Sequence, residues 1–124
     1  MTASNVLACT YPDEQTTQCI ASWVEPTENT DNSPLTDLAF VRVMCSLDNI
    51  TFNQCGADTQ ATSPTGGGQA SVPINIPVAI GEKKTVYVYG LAYNSSGISS
   101  EKGNIAQKEI NRLAPKPTTD FMMN

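Results

Sequence analysis

Residues 19–38, CIASWVEPTENTDNSPLTDL, carry a short β-rich run that ends on a tryptophan, a Pro-, Asn- and Asp-rich turn, and the approach to a second β-rich run. Side chains alternate across a strand, so Cys19, Ala21 and Trp23 share one face of the first run, and Gln18, Ile20 and Ser22 share the other. In the second run, residues 40–46, Arg42 should point to water. Val41, Val43 and Cys45 then point inward, and Phe40 and Met44 stand outside with Arg42. Inward and outward residues can therefore be named on both sides of the turn.

The rest of the chain repeats this pattern. Sustained helical periodicity is missing, and short runs of β-formers alternate with Gly, Pro, Asn, Asp and Ser, which predicts an all-β protein. Further strands are expected at 6–11, at 50–54 after an Asp48-Asn49 turn, at 72–78, at 85–93 and at about 104–110. Pro73 and Pro77 require the 72–78 strand to lie at a sheet edge, where their missing amides are not needed. Residues 56–69, GADTQATSPTGGGQ, read as a long mobile loop. A domain over 1–110 is followed by 111–124, NRLAPKPTTDFMMN, an extended arm with Phe121, Met122 and Met123 as its apolar tip.

Composition excludes several classes. Of the 124 residues 40% are hydrophobic and 15% charged, against roughly 25% charged in an average globular domain, so part of the surface should be neutral or apolar. The net charge is −5 and no Lys/Arg cluster follows a phosphate backbone, so nucleic acid is not an expected partner. No apolar run approaches the roughly 18 residues of a membrane span. The N-terminus, MTASNVLACTYP, lacks the basic region and apolar core of a secretory signal. With Met1 in place, a small complete gene product made in the cytoplasm without a leader is expected. Histidine is absent, which removes the commonest acid–base group and the commonest metal ligand. The cysteines lack CxxC spacing, so no zinc knuckle or thioredoxin-type motif is supported. Glu25, Glu28, Asp31 and Asp37 gather around the 24–37 turn, with Asp13 and Glu14 elsewhere. Paired carboxylates can serve glycoside hydrolysis or calcium, but no D-x-[DN]-x-[DN]-G loop is present and loop carboxylates are ordinarily solvated. No enzyme and no cofactor is expected.

The segments SWVEPTENTDNSPLTDL and IGEKKTVYVYGLAYNSSGISS resemble fibronectin type III domains, particularly those of bacteria and their viruses. The first resembles the family's B strand, B–C loop and start of strand C, and the second its E–F turn, F strand and F–G loop. The resemblance covers about residues 6–110. It implies a seven-stranded, immunoglobulin-like sandwich with strands A, B and E in one sheet and C, C′, F and G in the other, serving as spacer, adhesive module or binding scaffold. The family shares no catalytic residues, and its Arg-Gly-Asp tripeptide is absent here. One departure concerns the tyrosine that usually ties down the E–F corner: Val86 stands there, with Tyr87 one place along. The register retained keeps Val86, Val88, Gly90 and Ala92 inward, where Trp23 needs room.

Trp23 is then the core anchor. Tyr87, Tyr89, Leu91 and Tyr93 face outward and join Phe40, Arg42 and Met44 on the neighbouring strand. Outward tyrosines can simply support each other by cross-strand pairing. They can also form a protein-docking face, since contiguous apolar patches mark interfaces and Tyr, Met and Arg are enriched there. The cysteines fall into two pairs of equal spacing, Cys9 with Cys19 and Cys45 with Cys55, each flanking a hairpin. Local bridges are the best connectivity if they form; four buried reduced thiols are the alternative, which the missing leader favours. Asn49-Ile50-Thr51 and Asn94-Ser95-Ser96 match the N-glycosylation pattern and are read as turn chemistry.

These features lead to the expectation of an accessory or decorating subunit of a larger assembly, above all a bacteriophage virion. Its partners would be capsid or tail proteins or further copies of the chain. The alternative is a spacer or carbohydrate-contacting module from a secreted multidomain bacterial protein.

Overall fold

The structure is a computed structural model that describes residues 8–120, 122 and 123. It contains β1 (Ala8–Thr10), β2 (Thr17–Val24), β3 (Leu38–Ser46), β4 (Asn53–Gln54), β5 (Thr59–Gln60), β6 (Gln69–Ile76), β7 (Lys83–Asn94) and β8 (Ala106–Asn111), and no helix among the described residues. All pairings are antiparallel. One sheet has the order β1-β2-β6, the other β4-β3-β7-β8, with β5 also on β3. Their inner faces meet in an all-β sandwich.

Alternation builds the core. Cys19, Ala21, Val72, Ile74, Ile76 and Val78 enter it from the first sheet, and Val43, Val86, Val88 and Ile110 from the second. Val86 is fully buried and Val88 is 7% exposed, so β7 lies in the register that turns its tyrosines outward. The corner tyrosine of the resembled family has no counterpart pointing inward here. β6 is an edge strand: Pro73 pairs with Ile20 on its inner side, and Pro77 lies just beyond the strand. The buried Thr17 hydroxyl is satisfied by donating to the Val78 carbonyl at 3.1 Å.

Three expectations are corrected. The short strand expected over 50–54 shrinks to Asn53–Gln54. The Asp48 carboxylate accepts the Ile50 and Thr51 amides at 2.9 Å each, which diverts that backbone into a turn and leaves Ile50 82% exposed.

The long loop expected to be mobile is fastened instead. Ala61 donates to the Ala39 carbonyl at 2.9 Å, and Leu38 donates to the Pro64 carbonyl at 3.0 Å. Glu25, read as a solvated loop carboxylate, is 3% exposed. It accepts the Thr62 amide at 2.9 Å, the Gly68 amide at 3.2 Å and the Thr62 hydroxyl. Gly66, at φ 68°, makes the turn that brings these donors round. A buried carboxylate is tolerable when its oxygens are filled with donors in this way. Glu25→Ala should therefore leave the sheets intact and release residues 61–68. Limited proteolysis should cut there at least about tenfold faster, as expected for loss of roughly 1.5 kcal/mol of local stability; an unchanged cutting rate would contradict the pinning role.

Candidate functional site

The outer face of the larger sheet gathers the outward residues of β3 and β7. The register places Phe40 opposite Tyr93, Arg42 opposite Leu91, Met44 opposite Tyr89, and Ser46 opposite Tyr87. The two strands thus lay Phe40, Arg42, Met44, Tyr87, Tyr89, Leu91 and Tyr93 on one surface. None of these seven is fully exposed and all are half-buried, because each covers its neighbours. The Phe40 and Tyr93 rings stack with centroids 4.7 Å apart, and Phe52 tilts against Tyr89 at 4.8 Å.

Arg42 is the polar centre of this face. Its guanidinium donates to both Asp58 oxygens, from Nε at 2.9 Å and from Nη2 at 3.0 Å, in a bidentate fork. Nη1 donates to the Tyr93 hydroxyl at 3.3 Å, and the cation lies 4.9 Å from the Tyr93 ring centroid. Gln54 reaches the same Asp58 carboxylate at 3.0 Å. The fork holds the Asp58 carboxyl below its usual range and raises Arg42 further. The Phe40–Tyr93 end of the aromatic ladder is thereby closed by a salt bridge, Phe52 lies against Tyr89, and no ion pair among the described residues covers Tyr87.

The turn beside this face is built on Asp48, whose carboxylate accepts the Ser46 hydroxyl at 2.6 Å together with the Ile50 and Thr51 amides. Its carboxyl is lowered to about 2, first by the Ser46 bond and then by the two amides. A depressed carboxyl adds stability that is complete above its unfolded value, about 3.9, and is lost as pH falls through the folded value. The Ile50 and Thr51 amide signals should therefore titrate near pH 2 in an NMR series. A midpoint near the unperturbed value of about 4 would contradict the geometry.

Of the remaining sequence candidates, Met122 and Met123 are 79% and 96% exposed, so neither is packed on the face, and Phe121 lies outside the described residues. Trp23 is half-buried and packs against the core beside Gly90 and Ala92. Its indole N–H is buried without a hydrogen-bond partner. All four cysteines are oxidised. Cys9–Cys19 joins directly opposed residues of β1 and β2, and Cys45–Cys55 ties β3 to the residue after β4. The alternative of four reduced thiols does not describe this structure. The Asn94 side chain accepts the Ser96 and Ile98 amides and so serves its own turn, while Asn49 sits in the turn below Ser46 with φ 60°. The acidic residues of the 24–37 turn do not converge: Asp31 caps Ser33, Glu28 bridges to Pro34, and Glu25 is buried. Among the described residues no group of three His, Cys, Asp or Glu side chains could hold a metal ion.

The sequence reading misjudged the role of Glu25 and passed over Asp58 and Arg112. Arg112 donates to the carbonyls of Thr16, Val78 and Asp13 at 3.1, 2.9 and 2.9 Å and lies over the Tyr11 ring. It clasps the turn after β1 and the segment after β6 onto the end of β8. No protein-family model matches the chain, and no curated protein is similar to it in sequence.

Proposed function

We propose that the chain is a fibronectin type III-like module that acts without catalysis, as an accessory or decorating subunit of a larger assembly such as a bacteriophage virion. The observation that carries this reading is the continuous Phe/Arg/Met/Tyr/Leu face on β3 and β7. Tyr, Met and Arg are the residue types that interfaces favour, and they stand here on a rigid sheet, where docking costs little ordering entropy. The division of strands supports the family reading: β1-β2-β6 corresponds to A-B-E, and β8-β7-β3 to G-F-C, with the short β4 and β5 together in the place of C′. The segment 111–124 is proposed as an arm that reaches a neighbouring subunit, with Phe121, Met122 and Met123 as its apolar tip.

The test is substitution on the face around Tyr87. A Tyr87→Glu, Leu91→Glu double variant should fold, because both side chains lie outside the core, and should fail to join the native assembly. Normal incorporation of the folded variant would refute the reading.

The two disulfides favour a second reading, a spacer or carbohydrate-contacting module of a secreted bacterial protein, because such bridges persist outside reducing compartments. A virion released from the cell meets the same oxidising surroundings. Polysaccharide titration separates the two. The assembly reading expects no binding, since the Phe40 and Tyr93 rings are already engaged with each other and with Arg42.

A further inference from the structure

Residues 47–60 run back along β3 as a strap. β4 pairs with Met44 and Cys45, and β5 pairs with Phe40 and Val41. Between them the Cys45–Cys55 bridge ties the strap to β3, and the Cys55 amide donates to the Val43 carbonyl at 3.2 Å. Shortly before Cys55, the Phe52 ring tilts against Tyr89 at 4.8 Å. Shortly after it, the Asp58 carboxylate receives the Arg42 fork at 2.9 and 3.0 Å. The two side chains by which the strap reaches the outer face therefore flank the bridged cysteine, one on each side.

Little besides the bridge holds the middle of the strap. β4 and β5 are 2 residues long each. Gly56 meets β6 with no side chain to bury, and the Arg42–Asp58 pair is partly exposed, where an ion pair adds little. The bridge is also within reach of a small thiol. Cys45 and Cys55 are both half-buried and line an open cleft with Leu47 and Asp48. Cys9–Cys19 differs: Cys19 is fully buried, and the two residues are directly opposed within the β1–β2 ladder. Exchange requires access to a sulfur, so a thiol reductant opens Cys45–Cys55 first.

Granted the docking role of the outer face, we propose that Cys45–Cys55 is a redox latch for that face, setting its docking strength by holding or releasing the strap. The reductant is a dithiol. One of its thiolates attacks a bridge sulfur, the S–S bond breaks, and the other cysteine leaves as a thiolate. The second thiol of the reductant then cleaves the mixed disulfide. The chain gains two electrons and two protons as two cysteine thiols, and the dithiol ends as a disulfide. With the bridge closed, Phe52 and Asp58 are held on Tyr89 and Arg42 and the face is preorganised. With it open, a partner must order the strap as it binds, which weakens docking.

The experiment compares the oxidised chain, the same chain in dilute dithiothreitol, and the Cys45→Ser, Cys55→Ser variant. Alkylation followed by mass measurement identifies which bridge is open. Limited proteolysis between Leu47 and Gln60 should be about tenfold or more faster in the two open forms, while the β7 and β8 amides stay protected from hydrogen exchange. Both open forms should join the native assembly about tenfold or more weakly than the oxidised chain. Cleavage unchanged by opening, a Cys9–Cys19 bridge that opens first, or a sandwich that unfolds once Cys45–Cys55 is open would overturn the latch. Open forms that join the assembly as well as the oxidised chain would also overturn it; with Tyr87→Glu, Leu91→Glu still excluded, that result would leave the docking role of the outer face standing. Normal joining by Tyr87→Glu, Leu91→Glu would overturn both.

Discussion

Arg112→Ala is expected to lower the unfolding free energy by about 2–4 kcal/mol, because hydrogen bonds from a charged donor contribute roughly 1.5–3 kcal/mol each and this side chain makes several in a partly solvated site. One guanidinium holds the carbonyls of Asp13, Thr16 and Val78. Its own backbone is fixed separately, donating to the Glu82 carbonyl and accepting from the Gly81 amide. Alanine therefore removes the clasp without undoing the turn that carries it. Lysine should restore only part of the loss, since a single ammonium cannot replace a planar fork that reaches three carbonyls. Urea unfolding measures the effect. A change within about 0.5 kcal/mol, the range of an ordinary surface substitution, would show that the clasp adds nothing.

The second large effect is at Trp23. Trp23→Ala should cost about 3 kcal/mol, the low end of the range for a core aromatic, because the ring packs against the core but is only half-buried. Trp23→Phe should cost less, under about 2 kcal/mol, because an aromatic ring is kept. The indole N–H has no partner to lose, and removing an unsatisfied buried donor offsets part of the lost area. The contrast between the two variants is the informative quantity. Equal losses would mean that the N–H, and not the ring, matters at this position.

These two residues differ in how far they could be read from sequence. Trp23 belongs to an alternating run, and alternation is a local property: Cys19, Ala21 and Trp23 follow one another on one face whatever the rest of the chain does. The same holds for Val86, Val88 and the outward tyrosines, so the two sheet faces and the aromatic ladder were legible from residues 17–23, 40–46 and 85–93. Arg112 was not legible. It follows the last strand at the start of a Pro-rich stretch that reads as an arm, and the carbonyls it holds lie up to 99 residues away. Glu25 has the same neighbours in sequence whether it is solvated or buried. Only the tertiary path that brings Thr62 and Gly68 over the end of β2 decides between the two. The salt bridge that closes one side of the outer face was hidden for a related reason: Asp58 sits in a Gly/Thr/Ser-rich loop, and it meets Arg42 only because that loop folds back along β3.

On the proposed reading, the outer face of β3 and β7 packs against another subunit around Tyr87. Hydroxyl-radical footprinting of Tyr87, Tyr89 and Tyr93, in the assembly and in the isolated chain, tests it most directly. The expected result is strong protection of Tyr87 in the assembly and weaker protection of Tyr89, which Phe52 already flanks, with Tyr93 changing least because Phe40 and Arg42 already cover it. Equal labelling of Tyr87 in both states would contradict that reading.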